Sequence, residues 1–122
     1  MEILKKIILI SIAKEKKIKD FRLVITPSGR NRIGGIQTKD YGIISYPDKK
    51  DFEKIGEMIY LVFNESDDKM IEHLSNIKIE KRFYNCSSYR KVTNEYNEIW
   101  FEFFKGIYSI SLLKKDGNFF VT

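Results

Sequence analysis

An α+β fold is predicted: an antiparallel or mixed sheet of about five to six strands with two to three helices packed on it, in the order strands, helices, strands. Three observations carry this. A β-branched run opens the chain at Ile7–Ala13, an amphipathic segment fills its middle, and a strand-rich meander closes it. The 122 residues suit one domain, read here as 1–122, and 43% hydrophobic with 14% aromatic composition supplies a packed core.

Ile7–Ala13 reads as a buried strand, because β-branched side chains fit a pleated sheet. The run also follows Lys5-Lys6, as the apolar part of a secretion signal would, but seven residues is at the lower limit for one. A second strand is expected near Lys19–Thr26, where Phe21, Leu23 and Ile25 alternate with Asp20, Arg22 and Val24. Lys14–Lys17 would form the exposed connection, and Pro27-Ser28-Gly29 would end the strand, since proline lacks a ladder donor. A basic loop holding Arg30 and Arg32 follows, with Gly34-Gly35 as a turn, then a short strand at Tyr41–Ser45.

Tyr46-Pro47-Asp48 announces a helix from about Lys49 to Asn64, with Asp48 as its cap, Asp51 three residues on, and acids gathered in the first turn, where the dipole favours them. Phe52, Ile55, Ile59, Val62 and Phe63 recur at helical spacing and predict its core stripe. Gly56 beside Ile55 would let that helix approach the sheet closely. Ser66-Asp67-Asp68 would start a shorter helix carrying Met70, Ile71 and Leu74, and another is expected around Ser87–Tyr96. The helices are expected on one face of the sheet. The closing meander comprises Ile99–Phe104, a Lys105-Gly106 turn, Ile107–Leu113, an Asp116-Gly117 turn and Phe119–Val121. Alternation along Ile99–Phe104 sends Trp100 and Phe104 to one face, either as a partner-facing pair or as covered positions of a central strand.

The charge is uneven. Residues 1–50 carry twelve Lys/Arg against five Asp/Glu, whereas residues 51–72 carry seven acids against two lysines. This bipolarity suits steering onto a charged partner. Basic positions alternate along strands or sit in loops, away from the aromatics at 96–104, so a solvated sheet face accounts for them better than a nucleic-acid surface. One cysteine, Cys86, excludes an intrachain disulfide and fits a reducing, cytoplasmic setting. No stretch is long and apolar enough to span a bilayer, so no membrane partner is expected.

No catalytic constellation is visible. His73, the single histidine, stands beside Glu72 with no evident nucleophile, and one His with one Cys falls short of a zinc set. Asp67-Asp68 lacks the alternating ligands of a calcium loop, and Gly34-Gly35 lacks the remainder of a phosphate loop. No enzymatic activity and no cofactor are expected.

Tyr46-Pro47, Asp51-Phe52, Ile55-Gly56, Met58-Ile59, Phe63 and Ser66, with Tyr89–Val92 and a later turn glycine at 117, give a chain that resembles immunity proteins of bacterial contact-dependent growth inhibition systems (CdiI type). The resemblance implies a cytosolic protein that binds a cognate toxin domain, a nuclease among the options, and blocks it by steric occlusion. Such inhibitors of nucleases are commonly acidic, and this chain carries a net charge of +5. The candidate contact residues are therefore the acids Glu53, Glu57, Glu65, Asp67, Asp68 and Glu72, or, against an acidic toxin, Arg30 and Arg32. A small basic nucleic-acid-binding module is the alternative.

Overall fold

The computed structural model describes residues 6–14, 21–72, 79–116 and 119–121. Among them the elements are β1 (Lys6–Ala13), β2 (Leu23–Arg30), β3 (Ile36–Thr38), β4 (Ile43–Ser45), α1 (Phe52–Glu65), α2 (Ile79–Tyr84), α3 (Tyr89–Glu95), β5 (Tyr96–Phe104), β6 (Ile107–Asp116) and β7 (Phe119–Val121). The chain is α+β, in the expected order of strands, helices and strands. The strands form one sheet in the order β3-β2-β1-β5-β6-β7, with β4 also paired to β2, and every strand pair is antiparallel.

β1 lies at the centre because its sequence leaves it no wet side. It pairs with β2 through Ile10 opposite Ile25 and with β5 through Ile10 opposite Ile99. On one face Ile8, Ile10, Leu23 and Ile25 meet Met58 and Val62 of α1, with Ile55, Ile59, Phe63, Ile99 and Phe101 partly buried around them. On the other face Ala13 and Val24 meet Phe83 and Tyr84 of α2, Cys86, Val92 of α3 and Tyr96. The helices therefore cover both faces, which corrects the one-face expectation. The run Ile-Ile-Leu-Ile-Ser-Ile-Ala is apolar on both sides of the pleat, so both sides need cover. Each aliphatic side chain fully buried this way contributes about 1.5–3 kcal/mol.

β2 runs through Pro27-Ser28-Gly29 instead of ending there. The Pro27 carbonyl accepts from Lys39 N at 2.9 Å, so its missing N–H would face the same side. On that side β2 pairs with β4 up to Ile25 and with β3 from Ser28, and the proline falls in the gap between partners. The strand β3 was not foreseen. Gly42, in the approach to β4, lies so close to β2 that an added Cβ would stand 2.3 Å from the Ile25 carbonyl oxygen.

α1 begins three residues later than expected, at an Asp51 cap whose side chain accepts from Lys54 N at 3.1 Å, while the Asp48 side chain accepts from Lys50 N in the turn before it. Its buried stripe is centred on Met58 and Val62, and Phe52, expected in the core, is 77% exposed. Gly56 is exposed with nothing within 4 Å of an added Cβ, so it permits no close approach to the sheet.

Ser66 starts no second helix; it terminates α1 in an extended conformation. Its buried hydroxyl donates to Ile7 O at 2.8 Å and accepts from Ser28 N at 3.1 Å, bridging β1 and β2. The following backbone is then spent on β2: Asp67 N donates to Ser28 O, Arg30 N to Lys69 O and Ile71 N to Arg30 O. Groups tied to a strand cannot build a helical ladder. Leu74 of the expected helix lies outside the described residues, as do Lys16, Lys17 and Gly117 of the expected connections.

α3 follows a Ser88 cap and passes into β5 at Tyr96 with no linker. The Lys105-Gly106 turn is present, and both residues have positive φ, 52° and 78°, as a tight β-hairpin requires.

Candidate protein-binding surface

α1 buries one stripe, and its opposite side is not uniformly polar. Tyr60 and Leu61 form an exposed ridge there, three and four residues after Glu57 and on the side of Glu53, both glutamates being exposed too. The exposed Phe52 lies instead on the flank of Ile55 and Ile59. An exposed tyrosine beside a leucine is the kind of aromatic-led surface that interfaces favour.

Next to this ridge, α1 leaves part of the sheet uncovered. A groove of about 380 Å³ is lined by Phe52, Ile55 and Ile59 of α1, Ile99 and Phe101 of β5, and Ile110 of β6. Register explains the lining: Phe101 pairs with Ile110 and Ile99 with Leu112, so the apolar face of the sheet continues onto β6 beyond the reach of the helix. The near end of that face closes through rings. Phe63 meets Phe101 edge-on at 5.7 Å, and Tyr108 stacks on Phe101 at 5.7 Å.

The acids singled out from the sequence divide into groups. Glu53 and Glu57 stand on the α1 ridge. Glu65 accepts a 3.3 Å hydrogen bond from Tyr41. Asp67 pairs with Lys39 at 3.0 Å, and Asp68 pairs with the Nε of Arg30. Burial alone would lower the Lys39 pKa and raise that of Asp67, but their mutual hydrogen bond, together with the charges and hydrogen bonds of Tyr41 and Lys69 beside it, outweighs burial and moves both the opposite way. Partly exposed pairs of this kind contribute about 0–1 kcal/mol. Their effect here is to cancel charge, because Arg30 and Asp68, proposed as contacts for opposite kinds of partner, hold each other.

Arg32 and Glu72 line a separate cleft beside the β2–β3 turn, together with Asn31, Ile33, Gln37 and Ile71. That turn is fixed by the Asn31 side chain, which accepts from Ile33 N and Gly35 N, and by Gly34 at φ 86°.

A buried polar cluster, not anticipated from the sequence, lies under α2 and α3 on the opposite face. Glu98 is 1% exposed and accepts a 2.7 Å hydrogen bond from Tyr89 through Oε2, whereas its Oε1 has no partner. Burial raises its pKa, and the Tyr89 hydrogen bond only partly opposes this. Ser11, directly across from Glu98 in the ladder, bonds Tyr84 Oη at 2.8 Å. Arg22 ties the cluster's rim by donating to Tyr96 Oη and Phe83 O, both at 2.6 Å, and to Tyr46 Oη at 3.1 Å. Burial, then the hydrogen bond and charge of Glu95, push the Cys86 thiol up to about 11, so it is a poor nucleophile at neutral pH.

Among the described residues no group of three or more His, Cys, Asp or Glu side chains could hold a metal ion, and no helix is long and apolar enough to cross a membrane. His73 lies outside the described residues. Trp100 and Phe104, considered for partner contact, are half-buried on the face that Glu98 shares. In comparison with known proteins, the chain matches no family model, no curated protein and no solved structure.

Proposed function

We propose that this chain is an immunity-type binding domain that neutralises a cognate toxin domain by steric occlusion, with the outward side of α1 as its contact. The carrying observation is the exposed Tyr60 and Leu61 beside Glu53 and Glu57. Aromatic anchors supply binding energy once desolvated, and flanking carboxylates steer the surface toward a basic cleft such as that of a nuclease. The reading keeps Glu53 and Glu57 from the sequence-derived set as the principal acids. Glu65, Asp67 and Asp68 are assigned to holding the β2–α1 region together, because each is engaged by a neighbour within the chain.

The nucleic-acid reading gains no such support. Arg22, Arg30 and Lys39 all serve partners inside the fold, which removes them from a phosphate-binding tract.

The deciding experiment is co-expression with the C-terminal domain of a large secreted effector encoded next to this gene. The wild-type chain should protect cells and co-purify with that domain. Tyr60→Ala with Leu61→Ala should abolish protection, and Glu53→Lys with Glu57→Lys should weaken binding at least tenfold. Folded variants that protect as well as wild type would overturn the placement on α1, and failure of the wild type to protect would overturn the function.

A further inference from the structure

We infer that the chain associates with a second copy of itself through the outer edge of β6, forming a continuous antiparallel sheet across a two-fold axis at Ile110. This does not depend on the proposed toxin contact, which lies on α1.

The two ends of the sheet differ. At one, β2 is covered by β3 and β4, three residues each, and short strands make poor templates for pairing. At the other, β6 pairs with β5 from Ile107 to Leu113 on its inner side, whereas on its outer side β7 pairs only with Lys114, Lys115 and Asp116. Among the described residues, the outer edge from Ile107 to Leu113 thus has no strand beside it. It lacks the usual protection as well, since no charged residue and no proline falls between Lys105 and Lys114. Ile107, Tyr108, Ile110 and Leu112 on it are exposed, Ile110 at 70%.

The sequence of this edge selects the occupant. Ile107-Tyr108-Ser109-Ile110-Ser111-Leu112-Leu113 has the same pattern of residue classes read in either direction from Ile110. A two-fold axis perpendicular to the sheet at Ile110 pairs this segment with itself in antiparallel register. It sets Ile110 against Ile110, Ser109 against Ser111, and Tyr108 against Leu112. Such an axis also preserves the faces. Tyr108 and Ile110 lie on the α1 side with Phe101, and Ser109 lies on the opposite side, where it bonds Glu102 at 3.4 Å. Apolar positions therefore meet apolar positions, and serines meet serines. An isologous contact requires this self-complementarity, whereas an unrelated partner strand would not.

Light scattering on the intact chain across a concentration series should approach twice the 14.5 kDa chain mass. Ile110→Lys places two like charges opposite each other at the axis and should return the mass to that of one chain; the site is exposed, so the fold should persist by circular dichroism. Register is read separately by oxidation, because directly opposed antiparallel residues are within disulfide reach. Ile110→Cys should cross-link to itself, whereas Ser109→Cys alone should not, and Ser109→Cys mixed with Ser111→Cys should. A wild-type chain that stays at one chain mass, a dimer that survives Ile110→Lys, or self-cross-linking by Ser109→Cys alone would overturn the inference.

Discussion

Replacing Ser66 with alanine removes one oxygen from a site that is 2% exposed, and the consequences can be counted bond by bond. The hydroxyl serves two groups, Ile7 O on β1 and Ser28 N on β2. Ile7 O keeps a second donor, the Ser28 hydroxyl at 2.5 Å, so its loss is modest. Ser28 N is left in the interior without this acceptor. An unsatisfied buried donor costs about 1–3 kcal/mol, whereas losing a hydrogen bond whose acceptor stays satisfied costs about 0.5–1.5 kcal/mol. Ser66→Ala should therefore destabilise the chain by about 1–3 kcal/mol, and Ser28→Ala, which removes only the second donor to Ile7 O, by less. Urea titration followed by the fluorescence of the single tryptophan, Trp100, measures both. On the thermal scale the Ser66 change should lower Tm by roughly 3–6 °C per kcal/mol for a chain of this size. If Ser66→Ala costs no more than Ser28→Ala, the bridge between β1 and β2 is not what holds the end of α1 in place.

Two further outcomes follow from groups placed elsewhere in the fold. Glu98 has its pKa raised by burial, so between the unfolded carboxylate value of about 4.3 and its folded value the native chain holds a proton that the unfolded chain has released. Its contribution is thus most favourable in acid and falls as pH rises through that window. Glu98→Gln, which keeps an acceptor for Tyr89 and lacks the charge, should raise Tm more at pH 8 than at pH 4.5; equal pH dependence in both proteins would discard this account. Gly56 lies exposed in the interior of α1 with open space where a Cβ would stand, so Gly56→Ala should stabilise by about 0.5–1 kcal/mol in the same urea assay. A loss of stability there would mean that the glycine meets something its surroundings do not reveal.

The sequence by itself determined the features that depend on neighbours a few residues away. The β-branched run of β1, the helical spacing and acidic start of α1, and the Lys105-Gly106 turn were all legible, because strand propensity, amphipathic period and turn chemistry are local properties. The exposed ridge of α1 was half legible: its glutamates stood out as charge, but Tyr60 and Leu61, off the predicted core stripe, did not. Only the tertiary structure decided the rest. Pro27 continues a strand because β2 changes partner beside it, and Ser66 ends a helix instead of starting one because Ile7 and Ser28 claim its hydroxyl. Glu98 points inward because the residues on either side of it take the other face and Tyr89 meets its carboxylate. α1 covers one face while α2 and α3 cover the other. Each of these outcomes turns on which distant backbone or side-chain group satisfies a donor, an acceptor or an apolar face. A single chain read in order carries no record of those pairings until it is folded.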